Sequence, residues 1–174
     1  MALSRPMRPD GTGNKADIVR YASFFSIHPK PKFSERAIGS LINRISDTPL
    51  VVQRLILALE SGGMTDTECV PLKRTRDGRY QFEGKKYDAK ELFVQIFRWP
   101  HARKKELLPI KKCQYGVIPY NVSGKFFPGG MMKMICLNPY HYEHCIPAPV
   151  IACPRPLNSA PSVEIIEDVR PEIK

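Results

Sequence analysis

Between residues 136 and 145 the sequence reads "CLNPYHYEHC", which sets Cys136, His141 and Cys145 in the spacing C-x4-H-x3-C. Zinc takes four sulfur or imidazole ligands in a tetrahedron, commonly with one closely spaced pair. Cys136 and His141 suit that pair, because the Asn138-Pro139 dipeptide between them is a turn former that can fold the two side chains towards each other. The other ligands must come from afar. Cys69 and Cys113 are the candidates, Cys145 competes for a place, and spacing does not decide among them. A shared ion would force distant segments to meet, which constrains the fold more than any local propensity does. The alternative is that these cysteines are simply buried, as free cysteine often is.

Five cysteines, an odd number at irregular spacing, argue against a disulfide framework. The N-terminal "MALSRPMRPDGTG" has Arg and Pro where a signal peptide has its apolar region. The longest apolar run, Leu55 to Leu59, is far short of the roughly 20 residues of a membrane span. The expectation is an intracellular chain with reduced thiols and no membrane contact. The length of 174 residues allows one domain with a real core. Against 17 acidic residues stand 27 Lys and Arg, a net charge of +10, which favours a polyanionic partner, nucleic acid ahead of an acidic membrane surface.

Helical periodicity dominates the first part of the chain. Residues 1–13 read as a flexible lead. "NKADIVRYASFFSI" (14–27) has an Asn cap and apolar residues Ile18, Tyr21, Ala22 and Phe25 at helical spacing. "HPKPK" (28–32) breaks that pattern. Ser34 is expected to cap a second helix that buries Ala37, Ile38, Leu41, Ile42 and Ile45. Thr48-Pro49 starts a third, apolar almost all round and so central to the core, and Gly62-Gly63 stops it. Asp88, with Glu91 three residues on, caps a fourth that buries Leu92, Phe93, Ile96 and Phe97 before Pro100. Residues 111–142 read as short strands and loops, including a Gly- and Met-rich excursion expected to protrude over 118–134. Residues 148–174 open Pro-rich and aperiodic, as a linker does.

Between the third and fourth helices lies "RDGRYQFEGKKY" (76–87). Two hairpin turns are possible. Asp77-Gly78 is the stronger dipeptide, yet it sets Arg76 opposite Arg79. Glu83-Gly84 pairs Phe82 with Lys85 and Gln81 with Lys86, so that Arg79, Gln81 and Lys86 share one face and Tyr80 and Phe82 take the other. A two-stranded ribbon fits the major groove of B-DNA, where Arg and Lys suit guanine edges and Gln suits adenine. Lys73, Arg74, Arg76 and Lys85 remain as candidates for phosphates, with Lys104 and Lys105 of "RKKELLPIKK" as weaker ones. The competing reading is a solvated hairpin whose charges discourage edge pairing.

"CVPLKRTRDGRYQ", "FRWP", "KKCQYGV" and "CLNPYHYEHC", in this order, resemble the MH1 DNA-binding domain of Smad transcription factors. "SERAIGSL", "CQY" and "NPYHYE" look closest to the common-mediator class. The resemblance implies an α+β fold over residues 14–147, four to five helices with short β-hairpins, stapled by one structural Zn2+ on Cys69, Cys113, Cys136 and His141. It implies that the hairpin enters the major groove of GTCT/AGAC or GC-rich double-stranded DNA, with Arg79, Gln81 and Lys86 on the bases. It further implies a non-enzymatic transcription factor of TGF-β/BMP-like signalling, shuttling between nucleus and cytoplasm. Other Smad proteins and transcriptional cofactors would bind through regions outside this sequence, which is expected to end in the interdomain linker. A basic protein-interaction module and a metal-dependent nuclease are the alternatives. For a nuclease, His144 is the only nearby base, and no carboxylate–His pair accompanies it in the sequence.

Overall fold

In the computed structural model of the chain, residues 5–75, 79–115 and 134–145 are described. The first helix, α1 (Lys15–Ser23), begins where the Asn14 side chain accepts the Ala16 N–H at 3.0 Å. The second, α2 (Pro31–Ile45), starts a turn before the cap expected at Ser34. Pro31 sits in its first turn, where a missing N–H costs nothing, and Ser34 is buried inside the helix with its Oγ donating to the Lys30 carbonyl at 3.2 Å. The Pro-rich break between the first two helices is therefore also the start of the second.

Thr48-Pro49 opens α3 (Pro49–Ser61) as expected, and Gly62 closes it in the left-handed conformation at φ 57°. Three short strands follow: β1 (Pro71–Lys73), β2 (Tyr80–Phe82) and β3 (Lys85–Tyr87). Asp88 then accepts the N–H groups of Lys90 and Glu91 at 3.1 and 3.2 Å to start α4 (Ala89–Phe97). Glu91 does not reach back to complete a capping box. Its carboxylate accepts the Lys104 N–H at 2.7 Å instead, tying α4 to the segment that follows. The described chain is completed by β4 (Leu107–Pro109), β5 (Met134–Cys136) and β6 (Tyr142–His144).

The strands form three antiparallel pairs, β1 with β5, β2 with β3, and β4 with β6. Each is too short to stand alone and survives by packing on helices. The main core joins Ile18 and Tyr21 of α1, Ile38 and Leu41 of α2, Leu55 and Ile56 of α3, and Phe93 and Ile96 of α4, and it takes in Tyr80 and Phe82 of the hairpin. A second cluster holds Cys69, Ala102, Leu107, Cys136 and Tyr142, and reaches α4 through Val94. Thus α4 is the partition between them, with Phe93 and Ile96 facing one cluster and Val94 the other.

Residues 5–13, which the sequence marks as a flexible lead, lie along α1 and α3. Arg8 Nε donates to Glu60 at 2.8 Å, the Tyr21 hydroxyl donates to the same carboxylate, and Gln53 donates to the Asp10 carbonyl at 2.7 Å. Of the Gly- and Met-rich excursion expected over 118–134, residues 118–133 lie outside the described residues, and Met134 begins β5. Among the described residues no helix is long and apolar enough to cross a membrane.

The two glycines after α3 separate backbone strain from side-chain collision. Both have positive φ, 57° at Gly62 and 83° at Gly63. A Cβ at Gly62 would meet nothing within 4 Å, whereas one at Gly63 would lie 2.9 Å from the Tyr140 ring. Gly62→Ala should cost about 1 kcal/mol and Gly63→Ala at least about 2 kcal/mol. Urea denaturation of the two variants measures the difference; equal losses would mean that the Tyr140 ring yields freely.

Candidate metal centre and nucleic-acid interface

The sulfurs of Cys69, Cys113 and Cys136 and a ring nitrogen of His141 all lie within 4.8 Å of one another. The sulfurs of Cys69 and Cys113 are 3.9 Å apart, and His141 Nδ1 is 3.4 Å from Cys69 Sγ and 3.5 Å from Cys136 Sγ. A zinc tetrahedron with Zn–S of about 2.3 Å and Zn–N of about 2.0 Å has edges of roughly 3.5–3.8 Å. The donor set and its spacing fit zinc. Cys145 stands outside the set: it ends the β6 segment, its N–H donating to the Glu106 carbonyl at 2.8 Å. This is the competition that spacing left open, decided by which segments pair.

The local chain explains how each ligand is aimed. Cys69 leads into β1 and Cys136 ends β5, with Pro71 and Cys136 in register. His141 ends a short 3-10 turn, Pro139–His141, started by Asn138, whose side-chain oxygen accepts the Tyr140 N–H at 3.0 Å. The amide of Asn138 donates to Thr67 Oγ1 and to the Glu68 carbonyl, both at 2.9 Å, and so pins the turn beside Cys69. His141 Nε2 lies 2.8 Å from the Thr67 carbonyl. A carbonyl only accepts, so Nε2 carries a proton and Nδ1 is directed at the sulfurs, the arrangement typical of a ligating histidine. The backbone N–H groups of Gln114 and Asn138 donate to the sulfurs of Cys69 and Cys136 at 3.3 and 3.4 Å, which favours thiolates.

Without a cation the four groups share protons. Hydrogen bonding with the Cys136 thiol draws Cys113 and Cys69 down to about 4 and about 6, and the same contacts, with burial, push Cys136 itself up. Burial acts to lower His141, but its hydrogen bonds with Cys113 and Thr67 and the neighbouring sulfur charges outweigh this and raise it to about 9. A divalent ion takes the place of such protons and is bound in competition with them.

Arg98 supports this centre, and sequence reasoning did not single it out. Its guanidinium lies 3.8 Å from the centroid of the Trp99 ring and 5.1 Å from that of Tyr140, and it donates to the carbonyls of Pro139 and Tyr142 at 3.2 and 2.9 Å. It clamps the end of α4 onto the turn that presents His141. The only sequence signal was a cation between aromatics in "FRWP", with more aromatics in "NPYHY". His144, which the sequence leaves without a carboxylate partner, is largely covered: its ring lies tilted against that of Trp99 at 5.0 Å between centroids, and the fold brings Glu106 to 3.1 Å from it.

The hairpin turns at Glu83-Gly84, both residues in the left-handed region at φ 49° and 75°, as a type I′ turn requires. Tyr80 pairs with Tyr87, Gln81 with Lys86, and Phe82 with Lys85. Tyr80 and Phe82 are buried and stack on each other at 6.1 Å, while Gln81 and Lys86 are exposed opposite each other. Arg79 is exposed two residues before Gln81. Lys85 is exposed near the tip, and Lys73 is exposed at the end of β1 with half-buried Arg74 after it. Arg76 lies outside the described residues. Lys104 Nζ sits 3.0 Å from the Asp88 carboxylate, one residue beyond β3, and Lys105 beside it is exposed. The basic side chains therefore come from β1, the hairpin and the segment after α4.

The family model of the MH1 domain matches residues 34–146, a span that holds all four ligands and the hairpin. "Mothers against decapentaplegic homolog 4" of Homo sapiens is 31% identical over 137 residues, covering 78% of this chain and 23% of that protein. The Rattus norvegicus protein of the same name is 32% identical over 114 residues, covering 66% and 19%. "Dwarfin sma-4" of Caenorhabditis elegans is 34% identical over 114 residues, covering 66% and 18%. The matched region spans less than a quarter of each relative's own length. The chain belongs to the MH1 domain family, as an MH1 domain of the Smad kind.

Proposed function

We propose that residues 14–147 form a sequence-specific double-stranded DNA-binding domain of a Smad-type transcription factor, with 148–174 as a linker and the β2–β3 hairpin as the element that enters the major groove. One observation carries this reading: Gln81 and Lys86 face each other on the exposed side of a ribbon whose other side is buried through Tyr80 and Phe82. The pleat adds Arg79 to the exposed side. Arg79 and Lys86 would donate to guanine N7 and O6 and Gln81 would pair with adenine, as GTCT/AGAC or GC-rich elements require. Lys73, Arg74, Arg76, Lys85, Lys104 and Lys105 would meet phosphates and set register without reading sequence.

In this reading Cys69, Cys113, Cys136 and His141 hold one Zn2+, which when bound cross-links the segments before β1 and after β5 and so anchors the hairpin's base. With these four groups as its ligands the ion would have no position open to a substrate, so it would be structural and the domain a binding module rather than an enzyme. The whole protein would act in TGF-β/BMP-like signalling, moving between cytoplasm and nucleus, with other Smad proteins and transcriptional cofactors binding elsewhere on it.

Two measurements test these assignments. Zinc titration of the metal-free protein should show one equivalent bound, lost in Cys136→Ala and kept in Cys145→Ala. Because zinc displaces protons held by Cys136 and His141, apparent affinity should fall by about one to two decades per unit drop in pH below neutrality. Binding that survives Cys136→Ala would remove the site. In a screen of duplexes, Arg79→Ala should lose about 1–3 kcal/mol of discrimination at one guanine. Lys73→Ala should weaken all duplexes alike and lower the salt slope by about one contact. Equal losses on preferred and random duplexes for Arg79→Ala would refute its base-reading role.

A further inference from the structure

Along its exposed edge α2 meets the hairpin from tip to base. Phe33 packs on Phe82 and Tyr87 at 5.7 and 6.3 Å between ring centroids, and one and three turns further on Arg36 reaches Glu83 and Arg44 lies 4.6 Å over the Tyr80 ring. The contact at the tip is a two-point ion pair: Arg36 Nε donates to Glu83 Oε1, and Nη2 lies 3.4 Å from Oε2. Glu83 is an unexpected residue in this place. It takes the first position of the turn at φ 49°, where Gly, Asn or Asp fits with less strain. It also puts a carboxylate beside Lys85 and Lys86, on the element proposed above to enter the groove.

Resting on the base-reading role proposed above, we infer that Arg36 is a positioning residue for DNA recognition: by holding the Glu83 carboxylate against α2, it fixes the hairpin's angle of approach and keeps a negative charge from facing the duplex backbone. The Nε–Nη2 edge of the guanidinium is committed to Glu83, and in this inference Arg36 acts through the hairpin rather than through a phosphate contact of its own. Both side chains are about half exposed, 55% for Arg36 and 41% for Glu83. An exposed pair adds little to folding, so the effect belongs to binding.

Fluorescence anisotropy with a duplex selected by the wild-type protein and with a random duplex separates the possibilities. Arg36→Ala should weaken the selected duplex by about tenfold and the random one by about threefold, with the slope of log affinity against log salt unchanged. Its melting temperature should stay within about 4 °C of wild type. The reversed pair, Arg36→Glu with Glu83→Arg, should regain the selected-duplex affinity to within about threefold. A salt slope lowered by about one contact in Arg36→Ala would make Arg36 a phosphate ligand and overturn the inference. So would a reversed pair that fails to recover, or Arg36→Ala binding like wild type. If the wild-type protein itself does not distinguish the two duplexes, the base-reading function falls first, and this inference with it.

Discussion

Three sulfurs and one imidazole nitrogen occupy a volume a few ångströms across, although Cys69 and Cys113 are 44 residues apart and Cys69 and His141 are 72 apart. Bringing such distant points together has a loop-closure cost that grows with the logarithm of the separation. The small apolar cluster around Leu107 and Tyr142 offsets part of it, and the hydrogen bonds of Asn138, Thr67 and Arg98 prearrange the donors. The β1–β5 pair is three residues long and depends on this junction, since Cys136 is both its last residue and one of the four clustered donors. β1 precedes the hairpin in the chain, so the cluster holds the segment from which the ribbon departs, while the buried side of the ribbon itself packs in the main core.

The hairpin itself is a division of one surface into two sides by the pleat. Tyr80 and Phe82 face the helices and join the main core; Gln81 and Lys86 face outward. A slip of one residue in register would exchange the two sets, exposing aromatics and burying a cation, and the energetic penalty for that exchange is what defines the ribbon. Placing the hairpin on α2 adds a second support independent of the metal centre. One end of the domain thus supplies stiffness through ligands and the other through aromatic and ionic contacts with a helix.

Charge works at two ranges. The excess of ten positive charges over the whole chain draws in any polyanion and is screened by salt. Discrimination among polyanions needs donors at fixed separations, which the exposed side of the ribbon would supply in the function proposed above. Acidic residues close to the basic elements are held by local partners: Asp88 caps α4 and lies beside Lys104, and Glu83 is bound by Arg36. They orient neighbouring cations without cancelling the field of the surface.

Much of this arrangement was legible in the residues themselves, because helices and tight turns are governed by neighbours in sequence. The periodic apolar positions of the four helices, the Asn14 and Asp88 caps and the Pro49 start need only spacing of a few residues, whereas the Gln81–Lys86 pairing is one of two that the residues allow. The beginning of α2 is not legible in this way, since Ser34 is as plausible a cap as Pro31 is a first residue until the packing buries one of them. The ligand set stood one choice short: nothing in the intervals separates Cys145 from Cys69 or Cys113, and only strand pairing carries Cys145 along β6 while leaving the other sulfurs around His141. Arg36 on Glu83 and Arg8 on Glu60 have no signature, and Arg98 on the His141 turn has only its place between aromatics in "FRWP". Such contacts join side chains more than forty residues apart, obey no period, and come into being only when the folded backbone brings them within reach.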